Sequence, residues 1–190
     1  MKLVLLLITV TLIYAGSLTK YIKELNELNI EQRQVLYKVF ARAKSDNLSW
    51  TAAAVAWEES KFGEWQIPLD IHGSLDCGIF HNNVPTLLKK YHMPNTMKNR
   101  SKVCSRLIYH SEWSYNEFKD NITYWKKLRH NDWSRVWIGY NGGFSNSKKS
   151  MAYSKRIAMR IKAIKIVYGN ELLLYTNYSE LHIDYLMKLN

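Results

Sequence analysis

The 190-residue chain is short of acid: 16 Asp and Glu stand against 27 Lys and Arg, a formal net charge of +11. It has two cysteines, Cys77 and Cys104, with no CxxC and no Cys/His spacing that suggests zinc, so neither a metal site nor a cofactor is expected. No internal repeat, low-complexity tract or Pro/Gly/Ser-rich linker interrupts it, and three prolines and eight glycines mark no domain boundary. Nucleic-acid motifs of the usual kinds are also missing. These absences leave a single compact body whose positive charge calls for an anionic polymer or surface other than nucleic acid, or serves solubility alone.

What is present begins with an address. Lys2 precedes an apolar run from Leu3 to about Ala15, followed by the small residues Ala15, Gly16 and Ser17. That is the pattern of a secretory signal over residues 1–16 and too short for an ordinary membrane span. A retained signal anchor and a buried N-terminal helix are the alternatives. Residues 17–190 then make one domain with a real hydrophobic core, exported to the periplasm or secreted, touching a membrane only through an uncleaved signal segment. In that compartment Cys77 and Cys104 most simply pair, two buried free thiols being the alternative. The anionic partners available there are peptidoglycan, with its acidic stem peptides, and anionic lipid.

Periodicity predicts a mainly α domain. Helices are expected over Ser17–Leu28, Ile30–Lys44, Ser49 to Glu58 or Glu59, Val84–Tyr91, Ser101–His110, from Ser114 through Leu128, Trp133–Tyr140 and Tyr153–Tyr168. Ser49 and Ser114 read as N-caps, Gly63 and Gly169 as stops, and Asn141, Gly142 and Gly143 as the end of the helix that runs to Tyr140. The apolar tail beyond Glu171 is expected to dock back as one or two further helices. Between Glu64 and Asn83 the helical period is lost, with Pro68, Gly73 and Gly78 spaced through an irregular segment that could include a short hairpin.

The helix at Ala52–Trp57 is apolar almost all round, which makes it central, and it ends on Glu58 and Glu59. A carboxyl at the end of a buried helix is a setting in which desolvation favours the neutral form, and a neutral glutamic acid can protonate a leaving oxygen, as in glycoside cleavage. Two solvated carboxyls at a helix end are the plain alternative. Glu59 continues the stripe Ala52, Val55, Ala56 and is preferred to Glu58 on that ground. Asp76 is a possible second carboxylate, or a turn residue bonding its own backbone ahead of Gly78. Tyr140 and Asn141, at a helix end before two glycines, could line a cleft, although capping explains them equally well.

Taken together, Glu59-Ser60, the block Asp76-Cys77-Gly78-Ile79-Phe80-His81, the run Tyr140-Asn141-Gly142-Gly143, and Tyr153 ahead of a basic helix resemble the lysozyme-like soluble lytic transglycosylases in order and spacing. The style is that of the small specialised transglycosylases of secretion and conjugation systems or of phage, and the likeness spans Ser49 to Tyr168. It implies a lysozyme-like α+β fold, with the irregular or hairpin segment beside the catalytic helix. It also implies cleavage of the β-1,4 bond between N-acetylmuramic acid and N-acetylglucosamine to a 1,6-anhydro product. By position, Glu59 would be the single acid and base, and Ser60 would orient it or touch substrate. Gly78, Ile79 and Phe80 would wall the cleft, with His81, Tyr140, Asn141 and Tyr153 also lining it. The family usually has Gln at the position of His81, and Asp76 also resembles the second carboxylate of animal-type lysozymes. A hydrolytic muramidase using Glu59 and Asp76 is therefore the runner-up, and a non-catalytic glycan-binding basic protein the third reading. Peptidoglycan strands are the expected partner, with an envelope-spanning secretion or conjugation apparatus as a further candidate.

Overall fold

The computed structural model of the chain describes residues 18–67 and 75–176. The expected signal segment, Pro68 and Gly73, the acid Asp70 that neighbours Asp76 in sequence, and the tail beyond Thr176 lie outside the described residues. Within them are eight helices: α1 (residues 18–26), α2 (Ile30–Arg42), α3 (Ser49–Ser60), α4 (Val84–Lys90), α5 (Met97–Tyr109), α6 (Ser111–Leu128), α7 (Trp133–Gly142) and α8 (Lys148–Tyr175). A single antiparallel hairpin, β1 (Asp76–Cys77) with β2 (Asn82–Asn83), pairs Asp76 with Asn83 and Cys77 with Asn82. The domain is mainly helical, as the periodicity predicts, and the hairpin falls inside the segment that lacks a helical period.

Helix α3 is the centre. Thr51 to Trp57 are all buried, and Ala52, Ala53, Ala54 and Ala56 have no exposed surface. Side chains this small let neighbouring helices approach closely, and α3 packs against α2 on one side and α8 on another, with α7 against α8 and α6 against α7. Leu25, Leu36, Phe40, Phe118, Ile122, Val136, Ile157 and Ile164 complete this main core. A smaller core of Cys77, Val84, Leu87, Leu88, Val103, Cys104 and Leu107 joins the hairpin to α4 and α5. Its attachment to α6 includes the buried Glu117, whose carboxylate takes Lys90 Nζ at 2.7 Å and the Tyr91 hydroxyl.

Several boundaries move for local reasons. Ser49 is the first residue of α3, and Leu48 stands at the cap position without a side-chain bond. Helix α5 starts at Met97, ahead of the expected Ser101, because Thr96 Oγ1 accepts from Asn99 N at 3.3 Å. Helix α6 begins at Ser111, leaving Ser114 buried inside it. The stop expected at Gly63 comes at Lys61, whose φ of 49° and the φ of 59° at Phe62 are left-handed. That backbone costs about 1 kcal/mol or more per residue, and it swings Phe62, 1 % exposed, back under Trp57.

The start at Tyr153 and the stop at Gly169 expected for the Tyr153–Tyr168 helix are also overturned. Ser147 caps α8, its Oγ accepting from Ser150 N at 3.1 Å, and the helix runs through Gly169 to Tyr175. A Cβ added at Gly169 would meet nothing within 4 Å. Gly169→Ala is therefore expected to raise stability by about 0.5–1 kcal/mol, seen as an increased thermal midpoint.

Cys77 in β1 and Cys104 in α5 form a disulfide with a sequence separation of 27. Denatured, unreduced protein should show no free thiol, and reduction should destabilise the fold by about 3.5 kcal/mol from the loop-closure entropy returned to the unfolded chain, measured by denaturant titration with and without reductant.

Candidate functional site

Glu58 and Glu59 are adjacent in sequence and point into different surroundings. Glu58 accepts from Arg156 Nε and Arg160 Nε, each at 2.6 Å, and Arg160 lies over the Trp57 and Tyr21 rings. The two arginines are one turn apart on α8, so they meet one carboxylate as a pair. Glu58 is a half-buried counter-ion. In the sequence Arg156 and Arg160 read only as part of a basic helix face; their i, i+4 spacing is the one signal of a shared partner.

Glu59 turns to the other side of α3. Its Oε1 accepts from the Tyr153 hydroxyl at 2.6 Å, and its Oε2 lies 3.4 Å from His81 Nδ1. Tyr153 comes from α8, His81 from the turn between β1 and β2. The Glu59 side chain keeps 18 % of its surface exposed and His81 11 %, so the carboxyl is enclosed without being sealed. Tyr140 from α7 stacks beside Tyr153 at 6.4 Å between centroids and donates to the Phe80 carbonyl at 2.8 Å.

The hairpin turn is held by its backbone. Ser60, fully buried, donates from Oγ toward the Ile79 carbonyl at 2.8 Å and accepts from Gly63 N at 2.9 Å. Gly78 N donates to the Gln66 carbonyl at 2.9 Å, and His81 Nε2 sits 2.7 Å from the Trp65 carbonyl. Phe80 is core, stacked on Phe118 at 4.3 Å. Ile79 and Phe80 thus serve the site through their carbonyls, and Ser60 reaches it as a bracket between α3 and the turn. Asn82 ties the hairpin to α6, donating from Nδ2 to the Ser114 carbonyl at 3.0 Å. Sequence reasoning misses Trp65 and Asn82, since a backbone acceptor and a buried bracing amide leave no pattern.

Asp76 Oδ1 accepts from Asn83 Nδ2 at 2.8 Å across the hairpin. Its charge still reaches His81 and Tyr140. Asn141 is exposed at the last turn of α7. The sequence-derived candidates therefore divide into those around the Glu59 carboxyl (Tyr153, His81), those that fix the turn (Ser60, Gly78, Ile79, Phe80, Tyr140), Asp76 at the hairpin edge and Asn141 at the surface.

Electrostatics follow from this packing. Burial, then the charge of Glu59, pushes the Tyr153 phenol well above its ordinary value, so it stays a proton donor. Burial, Glu59 and Asp76 do the same for Tyr140. At His81 burial works against the charged ring, yet the adjoining Glu59 carboxylate, the hydrogen bond to the Trp65 carbonyl and the charge of Asp76 outweigh it, raising the imidazole above its usual 6.5.

A cavity of about 830 Å³ lies elsewhere, between α2, the start of α6 and the end of α8, lined by Val39, Arg42, Ile79, Phe80, Tyr115 and Tyr175. It contains none of Glu59, His81, Tyr140 or Tyr153, and the convergence of acid, imidazole and phenol outweighs volume as a guide to chemistry. Among the described residues no group of three or more His, Cys, Asp or Glu could hold a metal ion, and no helix is long and apolar enough to cross a membrane. No protein-family model, curated protein or solved structure matches the chain.

Gly78 decides whether the turn can form. Its φ is +79°, and a Cβ there would come within 2.7 Å of the Leu107 carbonyl oxygen and 3.0 Å of Ser114 Oγ. Gly78→Ala is expected to cost more than about 2 kcal/mol in chemical denaturation, a larger loss than at any exposed position of the hairpin.

Proposed function

We propose that the chain is an exported, peptidoglycan-cleaving lytic transglycosylase with a lysozyme-like fold, cutting the β-1,4 bond between N-acetylmuramic acid and N-acetylglucosamine with a 1,6-anhydro product. The observation that carries this is the partly enclosed Glu59 carboxyl at the end of α3, bonded by Tyr153 and faced by His81, while its neighbour Glu58 is committed to two arginines. A single positioned carboxyl suffices for such a reaction. Glu59 protonates the glycosidic oxygen as its bond to C1 breaks, then as carboxylate takes the proton of the sugar's C6 hydroxyl, whose oxygen closes on C1.

The Tyr153 hydrogen bond supports the second half of the cycle, since it stabilises the carboxylate that has given up its proton. Asn141, exposed on α7, is placed in the substrate-binding set together with the aromatic pair Tyr140 and Tyr153. The exposed Lys148, Lys149, Lys155, Lys162 and Lys165 of α8 suit a polymer carrying acidic stem peptides. Work on the envelope, including opening a gap for a secretion or conjugation apparatus, is the role this reading assigns.

A hydrolytic muramidase is the second reading, favoured by the reach of the Asp76 charge to His81 and Tyr140. Mass spectrometry of the products from purified sacculi separates the two. Anhydro ends free of solvent oxygen are expected; reducing ends labelled from heavy-oxygen water would replace the first reading with the second. Glu59→Gln should lower the rate at least about a thousandfold, Glu58→Gln should lower stability more than rate, and Asp76→Asn should keep most activity. Sacculus binding with no product from the wild type would leave only a glycan-binding protein.

A further inference from the structure

The position of His81 carries more than a place in the wall. Its imidazole is held at both ends, Nε2 at 2.7 Å from the Trp65 carbonyl oxygen and Nδ1 at 3.4 Å from Glu59 Oε2. A carbonyl oxygen only accepts, so Nε2 carries a hydrogen whether the ring is neutral or charged. The neutral ring therefore turns the Nδ1 lone pair toward Glu59. A lone pair facing a carboxylate oxygen is repulsive, and the contact becomes favourable only with a proton between them, on Oε2 with the ring neutral or on Nδ1 with the carboxylate charged. The other oxygen needs none, because Tyr153 already donates to Oε1 at 2.6 Å.

We propose that Glu59 and His81 form a dyad that holds one shared proton between Oε2 and Nδ1, with His81 the positioning residue that Trp65 orients for it. The inference rests on Glu59 being the acid of the proposed reaction. The balance closes within one turnover. Glu59 gives its proton to the glycosidic oxygen, which leaves with the electron pair of the C1–O bond, and the carboxylate regains a proton from the C6 hydroxyl as that oxygen bonds to C1. Between turnovers the proton rests on Nδ1 or Oε2, and the pair ends as it began.

The backbone is built to hold this ring. His81 has a φ of 46°, in the left-handed region, and its amide closes the turn onto the Gly78 carbonyl at 3.1 Å. A non-glycine residue in that conformation is a cost that the surrounding packing must enforce. The groups facing the pair are Asp76 from β1, Tyr140 from α7 and Tyr153 from α8, with Lys61 over the Trp65 ring at 4.0 Å. Both phenols stay neutral, so the carboxylates dominate and favour the protonated pair. By linkage, a His value raised in the folded state contributes stability that is fully present below 6.5 and is lost as pH rises through the folded value.

Two measurements on the oxidised full-length protein test the dyad. First, ring-proton NMR titration of wild type and Glu59→Gln: the His81 midpoint should lie above 6.5 in the wild type and fall by about one pH unit or more without the carboxylate. An equal midpoint in the two proteins overturns the dyad. Second, the pH–rate profile of sacculus cleavage: the alkaline limb should move toward acid by about one pH unit or more in His81→Gln, which keeps a hydrogen-bonding side chain but cannot titrate. A limb that stays in place while the rate merely drops overturns it as well. If the midpoint falls in Glu59→Gln but the wild type cuts no peptidoglycan, the proton-sharing pair stands and the proposed function fails. If the wild type cuts peptidoglycan and the midpoint does not move, the function stands and the pair fails.

Discussion

An apolar helix with no polar face has to be surrounded, and α3 is surrounded by α2, α8 and the segment that returns to it through the left-handed Lys61 and Phe62. That requirement reaches the chemistry directly. Because every side of α3 is occupied, the two carboxyls at its end cannot both open to solvent, and each has to find protein partners where it emerges. Glu58 emerges against α8 and meets two guanidinium groups; Glu59 emerges toward the hairpin and meets a phenol and an imidazole. Burying a charge without partners is prohibitively costly, so the division of labour between two neighbouring glutamates is a packing outcome.

The hairpin is positioned by a concentration of hydrogen bonds onto backbone carbonyls. Ser60 takes Ile79, Tyr140 takes Phe80, His81 takes Trp65, and the amide of Gly78 takes Gln66. Bonds to the main chain fix where the turn lies, whatever its side chains are. The disulfide between β1 and α5 and the Asn82 contact to Ser114 secure the far side of the same hairpin. His81 is thereby delivered to Glu59 by elements drawn from both apolar cores, and the pair is held from both directions.

Much of the fold is legible in the order of residues. The stripes of Leu36, Val39 and Phe40, of Tyr115, Phe118, Ile122 and Trp125, and of Ile157 and Ile164 are buried where the period places them, while Leu128, the next position of the second stripe, is exposed at the helix end. Ends are less legible. Thr96, Ser147 and Asn83 cap helices through side chains that look like ordinary loop residues, and Gly169 reads as a stop although α8 continues through it because its flanks are packed on both sides. Phe80 is core, stacked on Phe118, and also lines the cavity beside α2, two surroundings that an aromatic near a glycine turn does not reveal in sequence.

By itself the sequence determined that the domain is mainly helical, that an apolar helix ends on Glu58-Glu59, and that a break in the helical period follows it, because periodicity and side-chain volume act locally. Only the tertiary structure decided which glutamate is tied up by Arg156 and Arg160, that Cys77 lies beside Cys104, and that His81 and Tyr153, far apart in the chain, meet on the two oxygens of one carboxyl. Those outcomes depend on distances between elements that are remote in sequence, and such distances are set by how the helices pack.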